Sequence, residues 1–190
     1  MDDERELTSK ETLIKAYGLF WSESAVNWKG KKLHGERQHY KANKKRPVGR
    51  EPLCDAWEQQ GIYALYSDFK LVYVGMTTSQ QGLGARLNDH RSEHQVAGRW
   101  DAFSWYGLRA YDDKGKLQSY KTPHAVSAET LARTLELSAI LIAEPLLNRA
   151  AGKFPGSERI LQRKIANISE EEKLDSILRE IRRLQVKTKV

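Results

Sequence analysis

Residues 61–75 read GIYALYSDFKLVYVG. Two short runs rich in β-branched and aromatic residues, Gly61 to Tyr66 and Leu71 to Gly75, flank the polar stretch Ser67 to Lys70. This is the pattern of a β-hairpin. A Gly-rich connection (GMTTSQQGLG, 75–84) leads into a helix predicted over about 84–96. The run FSWYGLRAY (103–111) reads as a third strand, and DDKGK (112–116) as a turn. Ser127 is a suitable N-cap for a further helix reaching Ala143, with Pro145 as its stop.

Outside this middle region the chain changes character. Residues 1–60 read as an N-terminal extension, with a short helix predicted from Ser9 to Tyr17 and Leu19, Phe20, Trp21 and Trp28 docking on the core. Lys29 to Arg50 holds nine Lys/Arg against one acid, Glu36. With few apolar residues and no clear period, it reads as a basic loop or arm. Lys31, Lys32, Arg37, Lys41, Lys44, Lys45 and Arg46 are its candidate phosphate contacts, since each neutralised phosphate releases counterions. Residues 151–190 read as a helical extension. Ser169 and Glu172 form a capping box, and Leu174, Ile177, Leu178, Ile181 and Leu184 follow at helical spacing. That apolar face suits packing on the core or a dimer or partner interface.

The 190 residues carry 32 Lys+Arg against 25 Asp+Glu, a formal charge of +7. The excess favours a polyanionic partner such as nucleic acid. Cys54 is the one cysteine, which excludes an internal disulfide or a Cys-rich metal centre. The N-terminus has no signal-type apolar segment, and no run approaches a membrane span of about 20 residues. The expectation is a cytoplasmic protein.

Several polar residues stand where chemistry is possible. Arg86 and His90 are four apart and share a helix face, which His94 extends; near a helix N-terminus such a line suits a phosphate oxyanion. An ordinary polar face is the plainer reading. His90 and His94 have the i,i+4 spacing of a zinc helix, but the sequence is HRSEH and no third ligand is evident. Glu136 is the only charge in LELSAILIA (135–143). A carboxylate in a buried apolar helix is costly unless it is paired or metal-bound. On the residues alone, a salt bridge and a metal site fit equally.

Gly61-Ile62-Tyr63 followed by Tyr73-Val74-Gly75 resembles the GIY-YIG nuclease family, with Val74 in place of the second isoleucine. Arg86 and His90 in GARLNDH follow in order, then Glu136, nine residues before Pro145 and twelve before Asn148. The likeness spans Gly61 to Asn148. It implies a fold of α+β type, a small three-stranded antiparallel sheet flanked by helices. It also implies a metal-dependent endonuclease that hydrolyses phosphodiester bonds in double-stranded DNA with water. One Mg²⁺ or Mn²⁺ would sit on Glu136. Tyr63 would be the general base and Tyr73 its support. Arg86 would stabilise the scissile phosphate, His90 would assist, and Asn148 would fix local geometry. Met76 stands where some members have a lysine. Cutting both strands would call for a homodimer or two successive nicks. The family serves restriction, phage defence, repair and mobile elements. A binding module without chemistry, or a nuclease subunit of a larger complex, are the other roles this layout allows.

The pair of tyrosines sets a geometric condition. Facing residues of an antiparallel pair have a constant index sum. A regular four-residue turn at 67–70 would place Tyr63 opposite Val74 and turn Tyr73 to the other face. Shared chemistry therefore requires an odd turn or a bulge.

Overall fold

The strands at 61–67 and 70–77 are joined by a two-residue turn rather than a four-residue one. Asp68 and Phe69 both have positive φ, 49° and 63°. This backbone matches the right-handed strand twist of a hairpin. The structure, a computed structural model, describes residues 12–38, 53–93, 95–119, 126–144 and 154–163, with Leu178 and Ile181. Along the chain the elements are β1 (Ala16–Ser22), β2 (His34–Arg37), β3 (Cys54–Asp55), β4 (Gly61–Ser67), β5 (Lys70–Thr77), α1 (Gly82–His90), β6 (Ala102–Gly107), α2 (Ala128–Ala143) and β7 (Glu158–Gln162).

The strands form one seven-stranded mixed sheet in the order β3-β2-β7-β1-β6-β4-β5. This corrects the expected three-stranded sheet. Strands β6, β4 and β5 are the predicted antiparallel trio. The sheet does not stop there, because β1 pairs with β6 and runs parallel to β7, and β2 and β3 extend it further. The segments read as extensions thus supply four of the seven strands. The physical reason is that β6 would otherwise be an edge carrying buried aromatics. Trp105, Tyr106 and Phe103 are all nearly inaccessible and need a neighbour on that side.

Two further expectations change. The N-terminal helix is a strand over Ala16–Ser22, with Tyr17 and Trp21 buried; of the predicted span, residues 9–11 lie outside the described residues. Part of the basic arm is strand β2. The helix after the hairpin ends at His90, short of the predicted residue 96. The second helix matches its prediction, and the Ser127 side chain accepts from the Thr130 N–H at 3.1 Å. Of the predicted C-terminal helix, only Leu178 and Ile181 are described, both helical and half exposed; its capping box lies outside the described residues. Among the described residues, no helix is long and apolar enough to cross a membrane.

The sheet separates two apolar layers. Tyr63, Leu65, Phe103, Trp105 and Trp21 pack on one face with Leu83 and Leu87 of α1. Tyr17, Tyr106, Ile14 and Phe154 pack on the other with Leu141 of α2. Neighbouring residues such as Trp105 and Tyr106 go to opposite faces, as the strand period demands. Helices α1 and α2 therefore cover opposite faces of the sheet.

The β4–β5 ladder pairs Gly61 with Thr77, Tyr63 with Gly75 and Leu65 with Tyr73. It then shifts, so that Tyr66 pairs with Leu71. Val72 is the extra residue of a bulge. The shift puts Tyr73 and Tyr63 on one face, stacked with ring centroids 6.2 Å apart. Both motif glycines have steric roles. A Cβ on Gly61, whose φ is 148°, would lie 2.0 Å from the Tyr106 carbonyl oxygen. A Cβ on Gly75 would lie 2.4 Å from the Tyr63 hydroxyl oxygen, because the ring lies across that glycine. Gly75→Ala is expected to cost about 1–3 kcal/mol through overpacking. Urea denaturation checks this; an unchanged midpoint would mean that the Tyr63 ring simply moves aside.

Candidate active site

Tyr63 and His90 form the floor of a polar cluster on the α1 face. Both are fully buried. The Tyr63 hydroxyl and His90 Nε2 are hydrogen-bonded at 2.7 Å. His90 Nδ1 lies 2.7 Å from Glu93 Oε2, and Arg86 Nη1 lies 2.8 Å from Glu93 Oε1. Tyr73 closes one side, its ring edge-on to His90 at 4.8 Å. Arg86 and Glu93 are 37% and 39% exposed and form the solvent-facing rim. A carboxylate this close favours the Nδ1–H tautomer of His90, leaving Nε2 to accept the Tyr63 proton.

The local fold explains the grouping. Arg86 and His90 lie one turn apart on α1, and Leu83 and Leu87 bury the adjacent stripe. Glu93 lies just past the helix end, where its backbone N–H donates to the Asp89 carbonyl at 3.0 Å. The start of α1 is not free to bind an oxyanion. The N–H groups of Gly82, Leu83 and Gly84 donate to the carbonyls of Ser79, Gln59 and Trp57. The glycines there admit the 57–59 segment: a Cβ on Gly84 would lie 2.2 Å from the Trp57 ring.

Burial sets the electrostatics. It pushes the Tyr63 phenol up to about 12, against the nearby Arg86 charge. It also lowers the proton affinity of His90 below the ordinary 6.5, with Glu93 opposing the shift. For Glu93, desolvation works upward, but the His90 hydrogen bond and the Arg86 charge prevail and hold it below the usual carboxylate value.

Four of the expected residues, Tyr63, Tyr73, Arg86 and His90, thus come together. Glu136 does not join them. It lies on the exposed face of α2, and α2 packs on the other side of the sheet. The helix buries Thr130, Thr134, Ser138 and Leu141, and leaves Leu131 and Leu135 about half exposed. Its hydroxyls make this possible by donating back along the helix, Thr134 to the Thr130 carbonyl and Ser138 to the Thr134 carbonyl, each at 2.7 Å. The apolar run around Glu136 is therefore not a buried run. A metal on Glu136 does not fit the Tyr63 cluster in this arrangement, and no group of three His, Cys, Asp or Glu able to hold a metal occurs among the described residues. Asn148 and His94 lie outside the described residues.

The arm's described basic residues are not among the groups bonded within the cluster. Lys32 is paired with Asp55 at 2.9 Å, and Arg37 with Glu158 at 3.0 Å. Arg37 also donates to the Asp112 carbonyl. Lys31 is exposed. Four strand spacings separate β2 from β4 in the sheet order, roughly 20 Å at about 4.8 Å each. Lys41, Lys44, Lys45 and Arg46 lie outside the described residues. Glu93 is the functional candidate that the sequence reading missed. Its signal was present in HRSEH, as an acid three residues beyond a histidine already singled out.

No protein-family model, curated protein or solved structure matches this chain.

The lowered His90 value has a consequence for stability. Where pH lies between the folded value and 6.5, the unfolded chain binds more protons at this site than the folded protein. Stability is then full above 6.5 and falls as pH drops through that window. Urea midpoints measured from about pH 7.5 to about pH 5 should fall in the wild type, and His90→Gln should remove that component. An identical slope in both proteins would show that His90 takes up its proton without resistance.

Proposed function

We propose that the chain is a phosphodiester hydrolase acting on DNA, with its chemistry at Tyr63, His90 and Arg86. The observation that carries this reading is the Tyr63–His90–Glu93 chain of hydrogen bonds, with an arginine beside it. A hydroxyl, a base and an orienting carboxylate in series form a proton-transfer device. An adjacent guanidinium supplies bidentate recognition of a phosphate. The GIY and YVG tripeptides and the net charge of +7 support the same substrate class.

Magnitude decides how Tyr63 acts. With the phenol at about 12, its anion is about one part in 10⁵ at pH 7, too scarce to serve as a standing base. The hydroxyl instead relays. It takes a proton from the attacking water while passing its own to His90 Nε2. The water oxygen bonds to phosphorus, and the leaving oxygen departs with the bonding pair. Arg86 stabilises the charge that gathers on the phosphoryl oxygens. Tyr73 walls the relay and packs against the His90 ring. Because Tyr63 and His90 are buried, water reaches the relay only when the rim of Arg86, Glu93 and Tyr73 opens.

The reading predicts nicking of supercoiled plasmid by the wild type across a panel of divalent cations. Tyr63→Phe and His90→Ala should each slow it by about 10²–10⁴-fold, the usual worth of a positioned acid–base group. DNA binding, followed by gel shift, should be retained. Binding without cutting by the wild type on plasmid, nicked and single-stranded DNA would favour a non-catalytic module. Glu136→Ala belongs in the same assay: a loss equal to that of His90→Ala would place Glu136 in the reaction after all.

A further inference from the structure

Glu93 is shared. One carboxylate oxygen meets Arg86 and the other meets His90, at 2.8 and 2.7 Å. The residue that would hold a phosphate and the residue that would take a proton are therefore tied to a single counter-charge. Full interaction with one partner comes at the expense of the other, because both cations or donors draw on the same negative group. Arg86 and Glu93 are partly exposed, so an incoming phosphate can reach the guanidinium, whereas His90 has no exposure at all.

We propose that Glu93 is a positioning residue that couples phosphate capture by Arg86 to proton acceptance by His90. In the free protein Glu93 occupies Arg86 and so fills the place of a phosphate. A phosphate oxyanion that engages Arg86 displaces one carboxylate oxygen. The freed charge then acts wholly on His90 Nδ1–H, and Nε2 becomes a better acceptor for the Tyr63 proton. The relay is thus weak until substrate is bound. This inference rests on the hydrolase reading of the same site.

The groups facing His90 have known signs. From its own helix and the following turn come Arg86, which disfavours a proton there, and Asp89 and Glu93, which favour one. From the sheet come the Tyr63 hydroxyl of β4 and the Tyr73 ring of β5. Tyr63 and Tyr73 also border both His90 and Arg86, but of the groups in contact with both, Glu93 alone carries a charge.

The test follows the His90 ring nitrogens by NMR in the full chain, titrated with pH. Inorganic phosphate is the probe, so the measurement does not depend on DNA being cut. In the wild type, phosphate should raise the His90 midpoint by about one pH unit, the size expected for a carboxylate released toward it. Arg86→Gln should raise the midpoint without phosphate and abolish the response to it. Glu93→Gln should lower the midpoint and leave phosphate with little effect. In cleavage assays Glu93→Gln should lower kcat and also lower KM, since Arg86 is no longer occupied, and Glu93→Asp should restore part of kcat. The same phosphate response in wild type and Glu93→Gln overturns the coupling, as does no response in the wild type. If the response depends on Glu93 but no DNA is cut, the coupling holds and the hydrolase reading falls. If His90→Ala abolishes cutting while the response is independent of Glu93, the reverse is true.

Discussion

The site depends on one steric constraint: the Tyr63 ring must lie flat across Gly75. The cross-strand pairing of these residues leaves no room for a side chain at position 75. That fit turns the phenol along the sheet toward α1 instead of out to solvent, and places its hydroxyl against His90. The bulge at Val72 then brings Tyr73 to the same face. Without it, Tyr73 would point to the α2 side and His90 would lose its second aromatic wall. Gly61 fixes the start of the same strand by letting Tyr106 approach. The two tripeptides are thus packing rules first. Their chemistry follows from where the packing leaves the hydroxyl.

Burial gives the cluster its character. A phenol and an imidazole closed off from water both resist ionisation, the first by holding its proton and the second by refusing one. A hydrogen bond between two such groups moves a proton only when something nearby supplies charge. Glu93 and Arg86 stand at the rim as such charges, paired with each other at 2.8 Å. A neutral interior pair beneath a balanced ionic rim suits a site that must wait for an anion.

Much of this was legible in the residues. The hairpin, β6 and α2 follow from β-branched runs, turn residues and the Ser127 cap. The index sum of the two tyrosines required an irregularity, and the bulge supplies it. The four added strands were not legible. AYGLFWS carries an irregular register with Phe20 at φ 50°, so its alternation is broken where a strand signal would be sought. ERILQ is short: Pro155, Gly156 and Ser157 mark a turn before it, but its five residues hold only two apolar side chains, and it is recruited by tertiary pairing with β1 and β2. Glu93 was hidden for another reason: its role depends on the turn after α1, which carries it back toward Arg86.

Helix α2 shows why composition misleads at Glu136. An apolar run argues for burial only if the helix has nothing else to bury. Here Thr134 and Ser138 satisfy their hydroxyls within the helix, Thr130 accepts from the Ser127 cap hydroxyl, and Thr134 also accepts from the Leu13 N–H at 3.1 Å. Leu141, with Leu137 beside it, packs with Tyr17 and Tyr106. Leu131 and Leu135 lie on the opposite, exposed side, and Glu136 lies there with them. The charge then needs neither a cation nor an arginine to be tolerated, because it is solvated. A lone carboxylate among leucines is thus evidence for a buried site only after the competing small-residue stripe has been ruled out.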